Sequence, residues 1–331
     1  MISVYLITGV TGYIGRMFTK ALLQSEEYKN GKISVLGLCR DEKKAEQYFE
    51  GELGERFKII KADILDLEHL VRKLKEIATC IHYIIHCAAN TTSSYMVSNP
   101  VETCDGIVIG TRNILEIARM YEVERMVYIS SMEVYGYVEA SKERVTEDNL
   151  GDIDILSSRS CYPLGKRLAE HYCYIYYKEY GVRVSIARLA QTFGKGISRE
   201  DRRIFAQIAK AVINEQDIVL HTLGESMGNY CSIEDAINGI FCILSKGELG
   251  EAYNVVNPLN TMKIRDMAYL VANSIADGSI SVTYDIQNNN ANGYAVSTGL
   301  RLSAEKLMKL GWKPKKDLIE MYREVINELR Q

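Results

Sequence analysis

The sequence predicts an α/β fold built on a doubly wound parallel sheet, and three observations carry that prediction. Over the first 190 residues, short runs rich in β-branched residues alternate with longer amphipathic stretches. A glycine-rich turn follows the first of these runs directly. The chain has 331 residues, which suggests roughly two domains at about 150 residues each. Alternation of strands and helices favours a parallel sheet with helices on both faces.

Each predicted element follows from its hydrophobic period. In the first 190 residues the predicted strands are Ser3–Ile7, Ile33–Leu38, Phe57–Lys61, Tyr83–His86, Arg125–Ser130 and Val182–Arg188. The predicted helices between them are Tyr13–Gln24, Lys43–Gly51, Leu67–Glu76, Cys104–Tyr121 and Pro163–Tyr180. The last third is less regular, with predicted helices at Arg199–Asn214, at Ile233–Ser245 and from Asp317, a strand at Ile218–His221 and a polar loop at 287–299.

The charge balance argues against a polyanion or a membrane as partner. The chain carries 40 Lys and Arg residues against 43 Asp and Glu residues, a net charge of −3, whereas nucleic acid or an anionic membrane would call for a basic excess. No apolar run approaches the roughly 20 residues that span a bilayer. The eight cysteines form no CxxC pair and no cluster with histidine, so we expect no metal site and a reducing, cytoplasmic location.

The clearest ligand signal is the glycine pattern GxxGxxG at Gly9, Gly12 and Gly15, between the first strand and the first helix. Glycine is needed there for a tight turn and for close approach of backbone amides to a pyrophosphate, whose charge the helix N-terminus favours. A tight strand–helix turn without a ligand is the alternative. The residues predicted to bind NAD or NADP here are Gly9, Thr11, Gly12, Tyr13, Ile14 and Gly15.

Arg40 follows the second predicted strand, where dinucleotide-binding folds place the residue that reads the adenosine ribose. An acidic side chain there bonds both ribose hydroxyls of NAD, and an arginine can pair with the 2′-phosphate of NADP. Arg40 therefore favours NADP, and the alternative is that Asp41 reads the ribose of NAD. Asp63 and Ile64, after the third strand, are placed to hold the adenine, with a helix cap as the alternative role of Asp63.

Tyr162 and Lys166 form a YxxxK pair whose members lie on one face of a predicted helix. A phenol has a pKa of about 10. A neighbouring ammonium, together with a cationic nicotinamide, would lower that pKa into the working range of a base. The alternative is an exposed tyrosine on an amphipathic helix. The fifth predicted strand delivers Ser131 and Glu133 to the C-terminal edge of the sheet, where ligands of this architecture bind.

Taken together, the motifs resemble the extended short-chain dehydrogenase/reductase family, whose best-known members are NAD(P)-dependent nucleotide-sugar epimerases and dehydratases. The motifs that carry the resemblance are TGxxGxxG at 8–15, IHCAA at 85–89, SSxEVYG at 130–136, YxxxK at 162–166, RLAQTFG at 188–194, IEDA at 233–236 and LGWKP at 310–314. The matching segments therefore extend over essentially the whole chain.

The resemblance implies a Rossmann-type doubly wound sheet in an NAD(P)-binding domain of residues 1–190 plus about 230–257. It implies a smaller α/β substrate-binding domain at the C-terminal side, of about 191–229 plus 258–331. In the family, α-helices corresponding to Cys104–Tyr121 and to the Tyr162 helix form a four-helix bundle between two subunits. A homodimer is therefore implied for this chain.

The resemblance also implies roles for individual residues. Tyr162 would be the acid/base for a sugar hydroxyl, Lys166 would lower its pKa and bond the nicotinamide ribose, and Ser131 would hydrogen-bond the same hydroxyl. Glu133 stands where dehydratases and decarboxylases of the family have a catalytic glutamate. Further cofactor contacts are implied at Ala88, Ala89, Tyr162 and Leu189. Substrate contacts are implied at Asn90, Thr91, Ser131, Met132 and Gln191, with Arg188 near the nucleotide. Arg202 could substitute as a phosphate ligand, and the alternative is a solvated helix face.

The implied activity is that of an NAD(P)-dependent nucleotide-sugar epimerase or dehydratase that oxidises the sugar transiently. The alternatives are an NADPH-dependent nucleotide-ketosugar reductase, a nucleotide-uronate decarboxylase and a non-catalytic dinucleotide-sensing regulator. Two departures bear on the choice. Met132 replaces the aspartate that protonates the leaving hydroxyl in dehydratases of the TDP-glucose type, and Gly228 stands near the place of an arginine that often clamps the diphosphate.

Overall fold

The computed structural model describes residues 2–139, 143–286 and 298–331. Most of the predicted polar loop at 287–299 lies outside the described residues. The chain divides into two compact units. The first unit comprises Met1–Val134, Ile153–Arg188 and Ile240–Tyr253. The second unit comprises Tyr135–Asp152, Leu189–Gly239 and Asn254–Gln331. The assignment of the cofactor to one unit and of the substrate to the other stays a prediction.

The largest layer is a seven-stranded sheet with the order β10-β6-β5-β4-β1-β2-β3. Within the described residues the strands are β1 (Ser3–Thr8), β2 (Ile33–Cys39), β3 (Phe57–Lys61), β4 (Tyr83–His86), β5 (Arg125–Ser131), β6 (Val184–Leu189), β7 (Gln191–Phe193), β8 (Ile218–Leu220), β9 (Met227–Ser232), β10 (Ala252–Val255), β11 (Thr261–Lys263) and β12 (Val282–Tyr284). Pairs β1–β2, β2–β3, β1–β4 and β4–β5 are parallel. The strand order reverses beside β1, which confirms the predicted doubly wound sheet.

Helices connect these strands. Within the described residues they are α1 (Tyr13–Gln24), α2 (Glu26–Lys29), α3 (Glu42–Tyr48), α4 (Leu67–Ile77), α5 (Ser93–Ser98), α6 (Pro100–Met120), α7 (Cys161–Tyr180), α8 (Ile204–Ile213), α9 (Ile233–Lys246), α10 (Ile264–Ser274), α11 (Glu305–Lys309) and α12 (Leu318–Arg330). The helix predicted from Cys104 begins earlier, at Pro100, because the first helical position needs no N–H. Helix α7 ends at Tyr180 and is capped by Gly181, whose φ of 69° suits a glycine cap.

The second unit has its own core and sheets. Strand β9 pairs parallel with β7 and antiparallel with β11, and β12 pairs parallel with β8. Buried aromatic side chains of this core include Phe193, Phe205, Tyr230 and Tyr322. The rings of Phe193 and Phe205 stack with centroids 4.5 Å apart, an arrangement that contributes beyond buried area alone.

The predicted helix Arg199–Asn214 is wrong at its N-terminal end. The helix begins only at Ile204. Before it, Asp201 Oδ1 accepts from Arg203 N at 2.9 Å, and both Asp201 oxygens hold the Arg203 guanidinium. This local carboxylate bond competes with helical hydrogen bonding and forms a turn instead. In residues 2–139, 143–286 and 298–331, no helix combines the length and apolar character needed to cross a membrane.

A buried ion pair joins α7 to the sheet in the first unit. Arg188 on β6 donates to Glu170 Oε2 through Nη2 at 2.8 Å and through Nε at 3.2 Å. Ser130 Oγ on β5 donates to Glu170 Oε1 at 2.5 Å. All three side chains are buried. These bonds hold α7 against β5 and β6. Removing one partner of such a pair would leave an uncompensated charge in the interior, which is strongly destabilising.

We expect Arg188→Met to lower the free energy of unfolding by about 3–5 kcal/mol, because the Glu170 carboxylate loses its buried partner. Chemical denaturation followed by circular dichroism measures the loss. Arg119→Met is the matched control, since Arg119 pairs with Glu116 at 2.9 Å but is 48% exposed. We expect a loss of at most about 1 kcal/mol there. Equal losses in the two variants would contradict the expectation that the buried pair stabilises the fold more than the exposed pair does.

Candidate active site

The glycine turn after β1 has the backbone geometry that a pyrophosphate site needs. Gly9 has φ +68°, and a Cβ there would lie 2.8 Å from the Cα of Ala88. A Cβ on Gly15 would overlap the carbonyl oxygen of Gly9. Gly12 precedes α1 and has no side chain with which to cap it. The first turn of α1 therefore has no capping side chain from Gly12 and can meet an anion through its backbone amides.

The same turn fits the pyrophosphate of a nicotinamide dinucleotide. It follows the C-terminal end of β1, beside the point where the strand order reverses. Open α/β sheets bind their ligands at that point. A side chain at Gly12 would crowd the Gly9 carbonyl oxygen, which would lie 3.1 Å from its Cβ. Thr11, Tyr13 and Ile14, the other residues predicted for the pyrophosphate, belong to this turn.

Arg40 is exposed directly after β2, and its Nη1 lies 3.8 Å from Oε1 of Glu102 on α6. Asp41, the alternative ribose contact, is the N-cap of α3, where its Oδ1 accepts from Lys44 N at 3.0 Å. The carboxylate of Asp41 is thus engaged in capping. The exposed side chain of Arg40, directly after β2, therefore lies beside the carboxylate of Glu102.

Asp63 and Ile64 lie in the turn between β3 and α4. Asp63 Oδ1 accepts from Leu65 N at 3.0 Å and so shapes this turn. Asp66, and not Asp63, caps α4, which removes the alternative role given to Asp63. Asn113 on α6 donates to the carbonyl oxygens of Ile64 and Leu65 at 2.8 and 3.2 Å. These bonds hold the predicted adenine contacts against α6.

The segment after β4 carries four predicted contacts. Ala88 N donates to Thr8 Oγ1 at 3.2 Å, and Ala88 and Ala89 are half-buried. Asn90 is half-buried, and Thr91 is exposed. This segment follows the C-terminal end of β4, next to β1 in the sheet. It therefore borders the glycine turn, as the contact between Gly9 and Ala88 shows.

His86 closes β4 as a buried histidine with both ring nitrogens engaged. Nδ1 lies 2.7 Å from Thr8 Oγ1, and Nε2 lies 3.2 Å from Thr111 Oγ1. Burial, with a contribution from the Lys166 charge, lowers the pKa of His86 to about 3. His86 is therefore neutral at ordinary pH and serves as a core residue beside the site.

Tyr162 and Lys166 lie one turn apart on α7, and both are buried. Lys166 Nζ is 5.8 Å from the centre of the Tyr162 ring and 4.7 Å from that of Tyr128. It donates to the carbonyl oxygen of Ile129 on β5 at 2.7 Å. Burial lowers the pKa of Lys166 from 10.5 to about 8. The structure thus brings a buried cation beside the phenol that it would activate.

Glu133 is bound by Arg159. Arg159 Nη2 donates to Oε1 at 3.0 Å and to Oε2 at 2.8 Å. Burial raises the pKa of Glu133, and the Arg159 charge opposes that shift. Ser131 Oγ accepts from Glu133 N at 3.2 Å, and Arg159 Cζ lies 6.0 Å from the centre of the Tyr162 ring. These contacts link Ser131, Glu133, Arg159 and Tyr162 within the first unit.

The remaining predicted contacts are distributed over both units. Met132 begins the short 3-10 turn after β5 and is half-buried; its thioether has no proton to give to a leaving hydroxyl. Leu189 is buried at the end of β6, Gln191 begins β7, and Arg202 is exposed before α8. These three residues belong to the second unit, and their roles stay predictions.

Arg159 and Glu102 are site neighbours that sequence reasoning does not identify. Arg159 lies in the short 3-10 turn Ser158–Ser160 directly before α7, and its closeness in sequence to Tyr162 is the signal that the sequence holds for it. Glu102 holds no comparable signal, because its partner Arg40 lies on a different strand–helix unit. Among the described residues there is no group of three or more His, Cys, Asp or Glu side chains that suits a metal ion.

A glycine turn after β1 and a buried tyrosine–lysine pair in the same unit are features of enzymes that use a nicotinamide dinucleotide. The chain belongs to the NAD dependent epimerase/dehydratase family, whose model matches residues 5–256. The match includes every predicted catalytic residue. The resemblance to the extended short-chain dehydrogenase/reductase family is thereby confirmed, and the chain is an enzyme of this family.

Individual relatives fall into several reaction classes. UDP-glucuronic acid decarboxylase 1 of Xenopus tropicalis is 25% identical over 328 residues, which cover 98% of this chain and 72% of that protein. dTDP-D-glucose 4,6-dehydratase of Dictyostelium discoideum is 29% identical over 260 residues, which cover 76% of this chain and 57% of that protein. The reaction of this chain is therefore not fixed by likeness to one relative.

Solved structures show the same fold. UDP-glucose 4-epimerase of Thermotoga maritima, with UDP-glucose, superposes with a TM-score of 0.82 at 20% identity, over 99% of this chain and 98% of that chain. dTDP-glucose 4,6-dehydratase of Bacillus anthracis, in complex with NAD, superposes with a TM-score of 0.79 at 21% identity, over 98% of this chain and 96% of that chain. The predicted Rossmann-type architecture is confirmed.

Lys166 makes the stability of the protein depend on pH. Its pKa is about 8 in the folded chain against 10.5 for an ordinary lysine. Between those values the unfolded chain binds a proton that the folded chain has released, so the free energy of unfolding rises with pH. Between about pH 7.5 and 10, we expect wild type to gain about 2 kcal/mol relative to Lys166→Met.

Denaturant titrations of both chains at the two pH values measure this gain. Lys178→Met is the control, because Lys178 lies on the same helix but is exposed. Its stability should follow that of wild type at both pH values. Parallel pH profiles for wild type and Lys166→Met would contradict the lowered pKa of Lys166.

Proposed function

We propose that this chain transiently oxidises the sugar of a nucleoside-diphosphate sugar and then returns the hydride, as an epimerase, dehydratase or decarboxylase. The observation that carries the proposal is the buried Tyr162–Lys166 pair, linked through Arg159 to Glu133 and Ser131. The family of the chain and relatives named for UDP- and dTDP-sugars support the choice of substrate class.

The glycine turn, Ala88 and Lys166 would hold the dinucleotide. When bound, the nicotinamide supplies hydride acceptance and hydride return. Arg40 supports NADP, because a guanidinium pairs well with a 2′-phosphate, while the NAD in the Bacillus anthracis dehydratase supports NAD.

Tyr162 is the acid/base of the proposed mechanism. Its phenolate takes the proton of the sugar hydroxyl at the carbon that is oxidised, and its phenol returns the proton at the end. Lys166 stabilises the phenolate electrostatically, because a buried cation interacts strongly with a nearby anion. Ser131 hydrogen-bonds the same sugar oxygen and orients it for proton transfer.

Glu133 is the second proton-transfer group. A ketone at carbon 4 makes the hydrogen on carbon 5 acidic, and a carboxylate can remove it. Arg159 holds Glu133 by two hydrogen bonds and favours its ionised form against the effect of burial. The pKa of Glu133 stays raised by burial despite Arg159, so its carboxylate binds a proton more firmly than an ordinary glutamate and can serve as the base that epimerisation at carbon 5 or dehydration would require.

Decarboxylation of a nucleotide uronate is the second candidate, and Met132 favours it over dehydration. Dehydration must protonate a leaving hydroxyl, which the Met132 side chain cannot do. In a uronate oxidised at carbon 4, the bond between carbons 5 and 6 breaks to release carbon dioxide. The electron pair passes into an enolate, and carbon 5 then takes a proton. No hydroxyl departs in this sequence.

The homodimer predicted through the helices that contain Cys104 and Tyr162 is proposed here as well. Helices α6 and α7 pack together in one chain, and their exposed side chains include Ile109, Leu168 and Tyr174. Aromatic and aliphatic side chains of this kind suit an interface core. A molar mass of one chain in light scattering would overturn this part of the proposal.

We expect Tyr162→Phe to lower turnover by about 10²–10⁴, because the sugar hydroxyl loses its acid/base. The dissociation constant of the dinucleotide should change little, since the glycine turn, Ala88 and Lys166 remain to hold it. Turnover is measured by product formation and dinucleotide binding by calorimetry. Tyr180→Phe, an exposed position at the end of the same helix, is the control and should keep wild-type turnover. Unchanged turnover in Tyr162→Phe would overturn the mechanism.

Mass spectrometry of products from UDP-, TDP-, GDP- and CDP-sugars, uronates included, separates the candidates. Loss of carbon dioxide identifies the decarboxylase, loss of water the dehydratase, and isomerisation at constant mass the epimerase.

We expect Glu133→Gln to slow the step after oxidation by about 10², with exposed Glu139→Gln as the control. Stoichiometric consumption of NADPH with a ketosugar would instead establish a reductase and overturn the proposal.

A further inference from the structure

A cavity of about 460 Å³ opens in the first unit beside the predicted adenine contacts. Its lining includes Leu65, Asn99, Pro100, Glu102 and Asp105. Leu65 directly follows the predicted contacts at 63 and 64. If the glycine turn holds the pyrophosphate, this cavity is where the adenosine half of the dinucleotide would lie.

The acidic residues that line this cavity belong to α6, and α6 packs against the segment of the predicted adenine contacts. Asn113 donates to the carbonyl oxygen of Ile64 at 2.8 Å. Gly110 lets the helix approach closely, because a Cβ there would lie 2.5 Å from Cδ1 of Ile64. Glu102 stands in the first turn of the same helix. Glu102 therefore belongs to the helix that packs directly against the predicted adenine contacts.

Glu102 sits where it can cancel the charge of Arg40. Its Oε1 lies 3.8 Å from Arg40 Nη1, and the two side chains are 51% and 67% exposed. The Tyr95 hydroxyl interacts with the same carboxylate, which raises the pKa of Tyr95. Asp105 adds a second carboxylate to the cavity wall. Arg40, Glu102 and Asp105 together therefore carry a net negative formal charge.

We infer that Glu102 discriminates against the 2′-phosphate of NADP and in favour of the 2′-hydroxyl of NAD. A phosphate monoester carries about −1.5 to −2 charges at neutral pH, so Glu102 would repel it and compete with it for Arg40. The carboxylate can accept a hydrogen bond from a free hydroxyl. The inference rests on the proposed binding of a nicotinamide dinucleotide, and it opposes the preference that Arg40 alone suggests.

The test is calorimetric titration of full-length wild type and Glu102→Gln with NAD⁺ and with NADP⁺, after removal of any co-purified dinucleotide. We expect the ratio of the NADP⁺ to the NAD⁺ dissociation constant to fall about fivefold in Glu102→Gln at low ionic strength. High salt should reduce this difference, because both side chains are exposed. Glu102→Asp should keep a ratio near that of wild type.

Glu116→Gln is the matched control, because Glu116 is a carboxylate on the same helix that pairs with Arg119 at 2.9 Å. A merely structural effect would weaken both dinucleotides together and leave the ratio unchanged. Binding of both dinucleotides with equal ratios in wild type and Glu102→Gln overturns this inference alone. Binding of neither dinucleotide to wild type overturns the proposed function, and with it the inference.

Discussion

The position of α7 depends on one buried carboxylate, and the catalytic arrangement depends on α7. Glu170 accepts from Ser130 on β5 and from Arg188 on β6, so it ties the helix to two adjacent strands. Tyr162, Lys166 and Glu170 follow one another at intervals of four residues and therefore share one face of the helix. The ion pair that anchors the third residue also sets the place of the phenol and of the ammonium.

The first unit is predictable from sequence because its signals are local. The glycine pattern from Gly9 indicates a ligand-binding turn because a strand precedes it and a helix follows it. All six strands predicted in the first 190 residues are present, with small shifts at their ends. The second unit is less predictable, since β7, β11 and β12 have three residues each. Strands so short are defined more by their partners than by hydrophobic period, although the pattern does predict β8, which is equally short.

The candidate site divides in the same way. Ser131, Tyr162 and Lys166 belong to motifs that the sequence displays, and in the structure Ser131 ends β5 while Lys166, beside the Tyr162 ring, donates to the Ile129 carbonyl oxygen on that strand. The partners that adjust their charges belong to no such motif. Arg159 meets Glu133 only after the chain has folded, and Arg40 likewise meets Glu102 across elements distant in sequence. Sequence can therefore locate the chemistry, while tertiary structure decides its electrostatics.

The ion pairs Arg40–Glu102 and Arg159–Glu133 affect how a chain of small net charge can bind an anion. A chain with a net charge of −3 offers a dianionic substrate or cofactor no overall attraction, so recognition must come from cations at defined places. Arg40 and Arg159 are such cations, yet each already has a carboxylate partner. A ligand anion gains only the difference between its own interaction and the one it replaces. That difference favours ligands whose charge and hydrogen-bonding groups match both members of a pair, and it makes each carboxylate as much a part of recognition as its arginine.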